Sequence, residues 1–187
     1  MKQPPRGARF ETVKMIKVEF FSGVLGRLHN EVGIYFKLLH DKYASDPDFA
    51  KNVGGVGFWA GIRLMMPVVE SLSHTIGKSP QEFLGQDLNV PSPYLTWDLF
   101  RHALTHNDLM QHAKYQSKEV GWGISMIGQG HVTGSGHVSI DVLTLYQDLV
   151  NYLEGEIRKK DLTQIDVEVG VIYQNPRQQI IDEFDRL

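Results

Sequence analysis

Apolar residues recur every three or four positions through most of the first 115 residues of the chain. This spacing is typical of amphipathic helices, because it places the apolar side chains on one face. It predicts a long helix from about 11 to 44, a second helix from about 57 to 76 and a third helix from about 95 to 114.

Two further helices are indicated by the residues that begin them. Ser79, Pro80 and Glu82 have the spacing of a capping box with proline at the first helical position, which predicts a short helix there. Asp141 is expected to cap a final helix, since apolar residues then recur at helical spacing as far as Ile157.

The hydrophobic period changes to two in two segments. Val120, Trp122 and Ile124 alternate with small residues, and the turn-prone sequence GQGHVTGSGHVS follows them. This combination predicts a β-hairpin at about 119–140. Strict alternation over 165–173 predicts a strand with one buried face, which could pair with the hairpin or with another subunit.

Together these elements predict a mainly α protein that folds as an up-and-down four-helix bundle, because short connections favour antiparallel neighbouring helices. We expect a helical bundle domain at 1–160 that contains the hairpin. The residues at 161–187 are expected to form a strand-turn-helix extension of the same domain.

Composition and charge narrow the function classes. The chain has 187 residues, 42% of them hydrophobic, which is sufficient for a packed core. A net charge of −3 excludes a broad basic surface, so any nucleic-acid contact has to be a local patch. The lack of cysteine excludes disulfides, thiolate metal ligands and a cysteine nucleophile. No signal peptide or membrane-spanning run is apparent, so we expect a soluble, cytoplasmic protein without membrane contact.

The sequence LFRHALTHNDLM at 99–110 concentrates ionisable side chains on the third predicted helix. At 100° per residue, Leu99 and Phe100 face the core and Arg101 faces away from it. Arg101 and His106 are about 140° apart around such a helix, so they are not expected to pair directly. They could still face one cleft, more easily if a second subunit supplies the other wall.

Several interpretations of this stretch remain open. It could be a solvated polar helix face, or the contact surface of a non-catalytic dimeric interaction module. Asp98, His102 and His106 are spaced i, i+4, i+8, which could bind a metal ion in a metal-dependent hydrolase if another histidine supplied a further ligand.

Arg101 and His106, separated by four residues, also resemble the R-x4-6-H motif of the HEPN superfamily, in which a polar residue such as His102 often follows the arginine. The resemblance implies a HEPN-like bundle and, for many members, a metal-independent endoribonuclease that acts as a homodimer without a cofactor. It implies that Arg101 holds a phosphate and that His106 transfers a proton, with His102 and Asn107 supporting the site. Other members are non-catalytic modules, and a role as an RNA-associated stress or defence protein is also implied.

Four residues outside the motif are further candidates. Trp122 could stack on a base, but its place on an alternating strand indicates a core residue. His131 and His137 flank the glycine-rich loop and are expected to be exposed. Arg63 lies off the apolar stripe of the second helix, where it could form a surface salt bridge or face the same cleft as the motif.

Overall fold

The structure, a computed structural model, describes residues 8–49, 56–103, 112–125, 128–173, 178, 182 and 183. Helices and strands are mixed along these residues. The helices are α1 (Lys17–Arg27), α2 (Ile34–Ser45), α3 (Val56–Thr75), α4 (Pro80–Glu82), α5 (Pro93–Trp97) and α6 (Val142–Arg158). The strands are β1 (Ala8–Ile16), β2 (His112–Tyr115), β3 (Lys118–Ser125), β4 (Val132–Gly134), β5 (His137–Asp141) and β6 (Gln164–Tyr173). The π-helical segments are π1 (Leu28–Gly33), π2 (Phe83–Asp87) and π3 (Asp98–Ala103).

The prediction of a mainly α, up-and-down four-helix bundle is wrong. The described residues form a mixed α/β fold with two sheets, and no four-helix bundle is apparent among them. One sheet has two strands, β1 and β6, and the other has four strands in the order β2-β3-β5-β4. The domain limits 1–160 and 161–187 stay predictions.

The two strands β1 and β6 form an antiparallel pair that we call the terminal ribbon. The predicted strand at 165–173 is confirmed, but its expected buried face is wrong beyond Val167, since Val169 and Val171 are exposed. Its partner β1 lies where the long helix was expected to begin. The pairing is far from local, since Lys14 donates a hydrogen bond at 2.9 Å to Asp166, 152 positions further along the chain. Short-range periodicity carries no information about such a partner. The backbone N–H of Lys17 donates to the carbonyl of Thr163 at 2.9 Å, which fastens the ribbon to the start of α1.

The four-stranded sheet also differs from the prediction. β3 and β5 pair in parallel, with Trp122 opposite Val138, so the single hairpin predicted at about 119–140 is wrong. Instead β2 pairs antiparallel with β3, and β4 pairs antiparallel with β5. The β4–β5 turn has positive φ at Ser135 and Gly136, as a type I′ turn requires.

The core lies where the helices pack on one another and on the four-stranded sheet. α1 packs on α6, and α3 packs on α2 and on π3. A Cβ atom at Gly61 would lie only 2.3 Å from the ring of Phe36, so glycine permits the close approach of α2 and α3. The largest fully buried side chains are Phe21, Leu28, Ile62, Met65, Met66, Leu72, Phe83, Leu84, Leu88, Leu99 and Phe100.

Both predicted helix caps are confirmed. The Ser79 hydroxyl accepts a hydrogen bond from the backbone N–H of Glu82 at 3.2 Å, and the Glu82 carboxylate accepts one from the N–H of Ser79 at 2.8 Å. Asp141 accepts from the N–H of Thr144 at 2.9 Å at the start of α6.

The helix predicted at 95–114 is observed as α5 and π3, and its predicted end is wrong because β2 begins at His112. Among the described helices, none is both long and apolar enough to cross a bilayer.

Candidate functional site

Arg101 lies in π3, where buried aromatic side chains fix the backbone just before it. Leu99 and Phe100 are fully buried. The Phe100 ring stacks on Trp59 with centroids 6.1 Å apart and packs at 5.4 Å on Trp122, which confirms Trp122 as a core residue. The side chain of Arg101 remains 26% exposed. The predicted division of this segment into core and polar sides is therefore confirmed for Leu99, Phe100 and Arg101, although a wheel of 100° per residue does not describe π geometry.

Arg101 forms an ion pair with Glu70 of α3. Its Nη2 and Nε atoms donate to one carboxylate oxygen of Glu70, at 3.0 and 3.2 Å, and the Glu70 side chain is only 15% exposed. Hydrogen bonds between charged groups are stronger than neutral ones, so this pair ties π3 to α3. Glu70 was not among the predicted site residues. It shares one face of α3 with Arg63 and His74 at helical spacing, but that spacing does not reveal its contact with Arg101.

Arg63 and Arg101 line one cavity of about 200 Å³, with Pro67 in its wall. Arg63 therefore faces the same cavity as Arg101. This position in a shared cleft was one of the two predictions for Arg63, the other being a surface salt bridge. Pro67 also lines a neighbouring hollow of about 290 Å³ that extends from Arg63 to Arg27 of α1 and includes Glu31. We call the surface that carries Arg27, Arg63 and Arg101 around Pro67 the arginine groove.

The opposite side of Arg101 is acidic. A cavity of about 360 Å³ is lined by Arg101, Glu70, His74 and two carboxylates of the terminal ribbon, Asp166 and Glu168. The contact between the ribbon and Arg101 was not predictable, because the alternation of β6 reveals neither its partner strand nor its position in the fold. The positive part of the groove is consequently the part toward α1 and Arg63.

Of the four residues implied by the motif, the structure describes the side chain of Arg101 alone. His102 lies in π3 by its backbone, and its side chain is outside the described part of the chain. His106 and Asn107 also lie outside the described residues. The pairing of Arg101 with His106 across a cleft therefore stays a prediction.

Asp98, the first residue of the alternative metal site, contacts a tyrosine. Its carboxylate accepts a hydrogen bond from the Tyr115 hydroxyl of β2. Burial raises the pKa of Tyr115 to about 12, with a further contribution from this bond to Asp98. No three described side chains of His, Asp or Glu are placed so that they could share a metal ion. Since His102 and His106 are not described as side chains, a site with Asp98 stays a prediction.

A second polar cluster lies at the start of α6, and here the carboxylate is enclosed. Asp141 is completely buried. One of its oxygens accepts from the Ser125 hydroxyl at 2.8 Å and from the N–H of Gly128 at 3.0 Å, and the other accepts from the N–H of Thr144. The N–H of Gly130 donates to the Thr144 hydroxyl at 3.1 Å. These bonds fasten the glycine-rich loop to the first turn of α6.

His131 completes this cluster. Its Nδ1 accepts from the N–H of Asp141 at 3.0 Å, which requires the neutral ring to carry its proton on Nε2. Nε2 lies 3.9 Å from the Asp148 carboxylate, which is too far for a hydrogen bond, and it has no partner among the described residues. The side chain is 4% exposed, so the predicted exposure of His131 is wrong, whereas that of His137 is confirmed. We call Ser125, Gly128, His131, Asp141 and Thr144 the Asp141 cluster.

Burial shifts the pKa values of two groups at this cluster in directions that favour their neutral forms. It lowers the pKa of His131, an effect that the charge of Asp141 partly opposes, and it raises the pKa of Asp148. None of the three cavities around the arginine groove is lined by these groups. We therefore assign the Asp141 cluster to the architecture of the protein.

Comparison of the chain with models of known protein families, with curated proteins and with solved structures found no match. Function therefore has to be inferred from the side chains of the groove themselves.

Proposed function

We propose that this protein is an RNA-binding, metal-independent ribonuclease whose substrate lies in the arginine groove. The observation that carries the proposal is the cavity that Arg63 and Arg101 share. Guanidinium groups match the geometry of phosphate oxygens, and two of them on separate elements can contact one phosphodiester from two sides. Because the chain is acidic overall, such a local patch is the form that an RNA site has to take.

The ion pair with Glu70 is compatible with this role for Arg101. The bonds to the Glu70 carboxylate come from Nε and Nη2, and the side chain still lines the cavity that it shares with Arg63. The pair also restricts the rotamers of Arg101, which lowers the entropic cost of positioning it against a phosphate.

In the proposed reaction, Arg101 holds the scissile phosphate and stabilises the charge that develops on it. His106 accepts the proton of the ribose 2′-hydroxyl or protonates the leaving oxygen, with His102 and Asn107 as supporting residues. The bond between the 2′-oxygen and phosphorus forms while the bond to the 5′-oxygen breaks, and the 5′-oxygen takes up a proton. These steps use no cofactor and follow the chemistry implied by the R-x4-6-H resemblance.

The proposal includes a cytoplasmic homodimer, in which a second copy brings its own Arg101 and His106 to the cleft. Light scattering after size-exclusion chromatography measures the mass of the particle, and a monomer at assay concentration would contradict this part. Fractionation of cells tests the location.

Cleavage of labelled RNA in the presence of a chelator tests the reaction. We expect the wild-type protein to cut a single-stranded or structured RNA, and R101A and H106A to lose at least about 100-fold in rate. R158A is a matched control, because Arg158 is an exposed arginine that pairs with Glu154 at the end of α6. The proposal fails if the wild type leaves every RNA intact or if R101A cuts as fast as R158A.

A non-catalytic dimeric interaction module is the second candidate, because the terminal ribbon exposes apolar side chains at Val13, Val169 and Val171. Exposed apolar residues on strands are typical of protein contacts. If this candidate is correct, V169T and V171T shift the assembly toward monomer, and R101A changes no reaction.

A further inference from the structure

The terminal ribbon forms the acidic wall of the cavity beside Arg101. Asp166 and Glu168 are two positions apart on β6, so they project from one face of the strand about 6.6 Å apart. Both line the same cavity as Arg101 and Glu70. The ribbon therefore presents two carboxylates where a phosphate that approached Arg101 from this side would have to lie.

The negative charges of Asp166 and Glu168 are offset to different degrees by neighbouring cations. Asp166 forms an exposed ion pair with Lys14 of the neighbouring strand at 2.9 Å, which offsets part of its charge. Glu168 makes no hydrogen bond or ion pair within the described part of the chain, and its side chain is exposed. No ion pair within the described residues offsets its charge, so it is the stronger source of repulsion for a phosphate.

Glu168 also lies at an irregular point of the ribbon. Thr12 pairs with Glu168 whereas Glu11 pairs with Gly170, so Val169 is an extra residue in a β-bulge. Bulges turn a strand and change the direction of the side chains next to them. On the near side of the bulge, Val167 is buried.

Beyond the bulge the ribbon has little support from the rest of the protein. Val169, Val171 and Ile172 are exposed. Two strands without a further sheet neighbour are marginally stable in water. This outer part of the ribbon therefore moves at a lower cost in free energy than a strand of the four-stranded sheet. Asp166 and Glu168 lie on the near side of the bulge, where the buried Val167 holds the strand beside Arg101.

We propose that the terminal ribbon is an acidic strap that inhibits the arginine groove. Glu168, assisted by Asp166, repels phosphate from Arg101, and RNA binds more tightly when these two carboxylates are neutralised. The inference rests on the proposed function, because it concerns the same groove and the same ligand class.

Fluorescence anisotropy with a labelled oligouridylate at low salt tests the strap. We expect E168Q to bind about fivefold more tightly than the wild type, and D166N/E168Q more tightly still, because one like charge near a phosphate contributes about a factor of this size. The gain should shrink as salt rises, since added ions screen exposed charges. E168Q removes an exposed carboxylate without a partner, so it is expected to keep the fold, which circular dichroism checks.

E11Q is the matched control, because Glu11 is a carboxylate of the same ribbon that lies beside Gly170 and lines none of the cavities of the groove. Its affinity should equal that of the wild type. Equal affinities for E168Q and wild type, or an equal gain for E11Q, would overturn the strap.

R101A separates this inference from the proposed function. If R101A loses RNA binding while E168Q shows no gain, the strap is wrong and the proposed site stands. If E168Q gains affinity and R101A in the E168Q background removes that gain, both are supported. If R101A binds as the wild type does, or if no variant binds RNA, both are wrong.

Discussion

The Asp141 cluster and the arginine groove both contain charged side chains, but solvent is excluded from the carboxylate of the first and reaches the second. Asp141 is completely buried, and its oxygens accept hydrogen bonds from Ser125, Gly128 and Thr144. Arg101 is partly exposed, pairs with Glu70 and faces cavities on two sides. An enclosed carboxylate with hydrogen-bonded oxygens stabilises a fold, whereas charges that line a cavity lie where a ligand can contact them.

The largest effect that this comparison predicts is on stability at the Asp141 cluster. D141A leaves the donors of Ser125, Gly128 and Thr144 without an acceptor and removes the cap of α6, so we expect a loss of about 3 kcal/mol in the free energy of unfolding. Urea denaturation measures it. D41A, at an exposed position of α2, should lose less than about 0.5 kcal/mol. Equal losses for the two variants would show that the cluster is not structural.

A smaller change in the free energy of unfolding is expected when a change of pH protonates His131. Because burial lowers the pKa of His131, the unfolded chain binds a proton at a higher pH than the folded protein does. The stabilisation is therefore present above about pH 6.5 and is lost as pH falls through the folded pKa, by at most about 1.4 kcal/mol per pH unit.

H131N isolates this contribution, because its side-chain oxygen can accept from Asp141 without titrating. Urea denaturation from neutral to mildly acidic pH should show a shallower loss of stability for H131N than for wild type. Asp148 acts with the opposite sign, since its raised pKa favours the folded state on acidification, and it is present in both proteins. H137Q, at an exposed histidine, should follow the wild type; a slope for H131N as steep as the wild type's would refute the assignment.

The smallest effect concerns the ion pair in the groove. A double-mutant cycle of E70Q and R101Q should give a coupling free energy of about 1 kcal/mol, because the pair is only partly shielded from solvent. The exposed pair of Glu154 and Arg158 should give about 0.3 kcal/mol as a control. A coupling at Glu70 no larger than this control would mean that the ion pair does not position Arg101.

The parts of the fold that were predictable depend on local signals. The capping box at Ser79, the cap at Asp141 and the alternation over 165–173 each use residues a few positions apart, and all three were confirmed. The pairing of β1 with β6 and the parallel pairing of β3 with β5 join distant segments, so periodicity could not reveal them.

Local sequence patterns were also insufficient to predict the whole candidate site. The polar position of Arg101 was predictable from helical spacing, and Arg63 was recognised as a residue that could face the same cleft. Glu70, Asp166 and Glu168 were missed, because their place beside Arg101 depends on how α3 and the terminal ribbon pack against π3. A tertiary neighbour of this kind requires the fold.

The salt dependence of RNA affinity tests most directly whether the arginine groove contacts phosphates. Dissociation constants of a single-stranded RNA are measured for wild type, R63A, R101A and R158A over a series of salt concentrations. Each arginine that neutralises a phosphate contributes about 0.7 to the slope of log affinity against log salt. We predict that R63A and R101A each reduce the slope by about this amount while R158A leaves it unchanged; equal slopes for all four proteins would contradict the account.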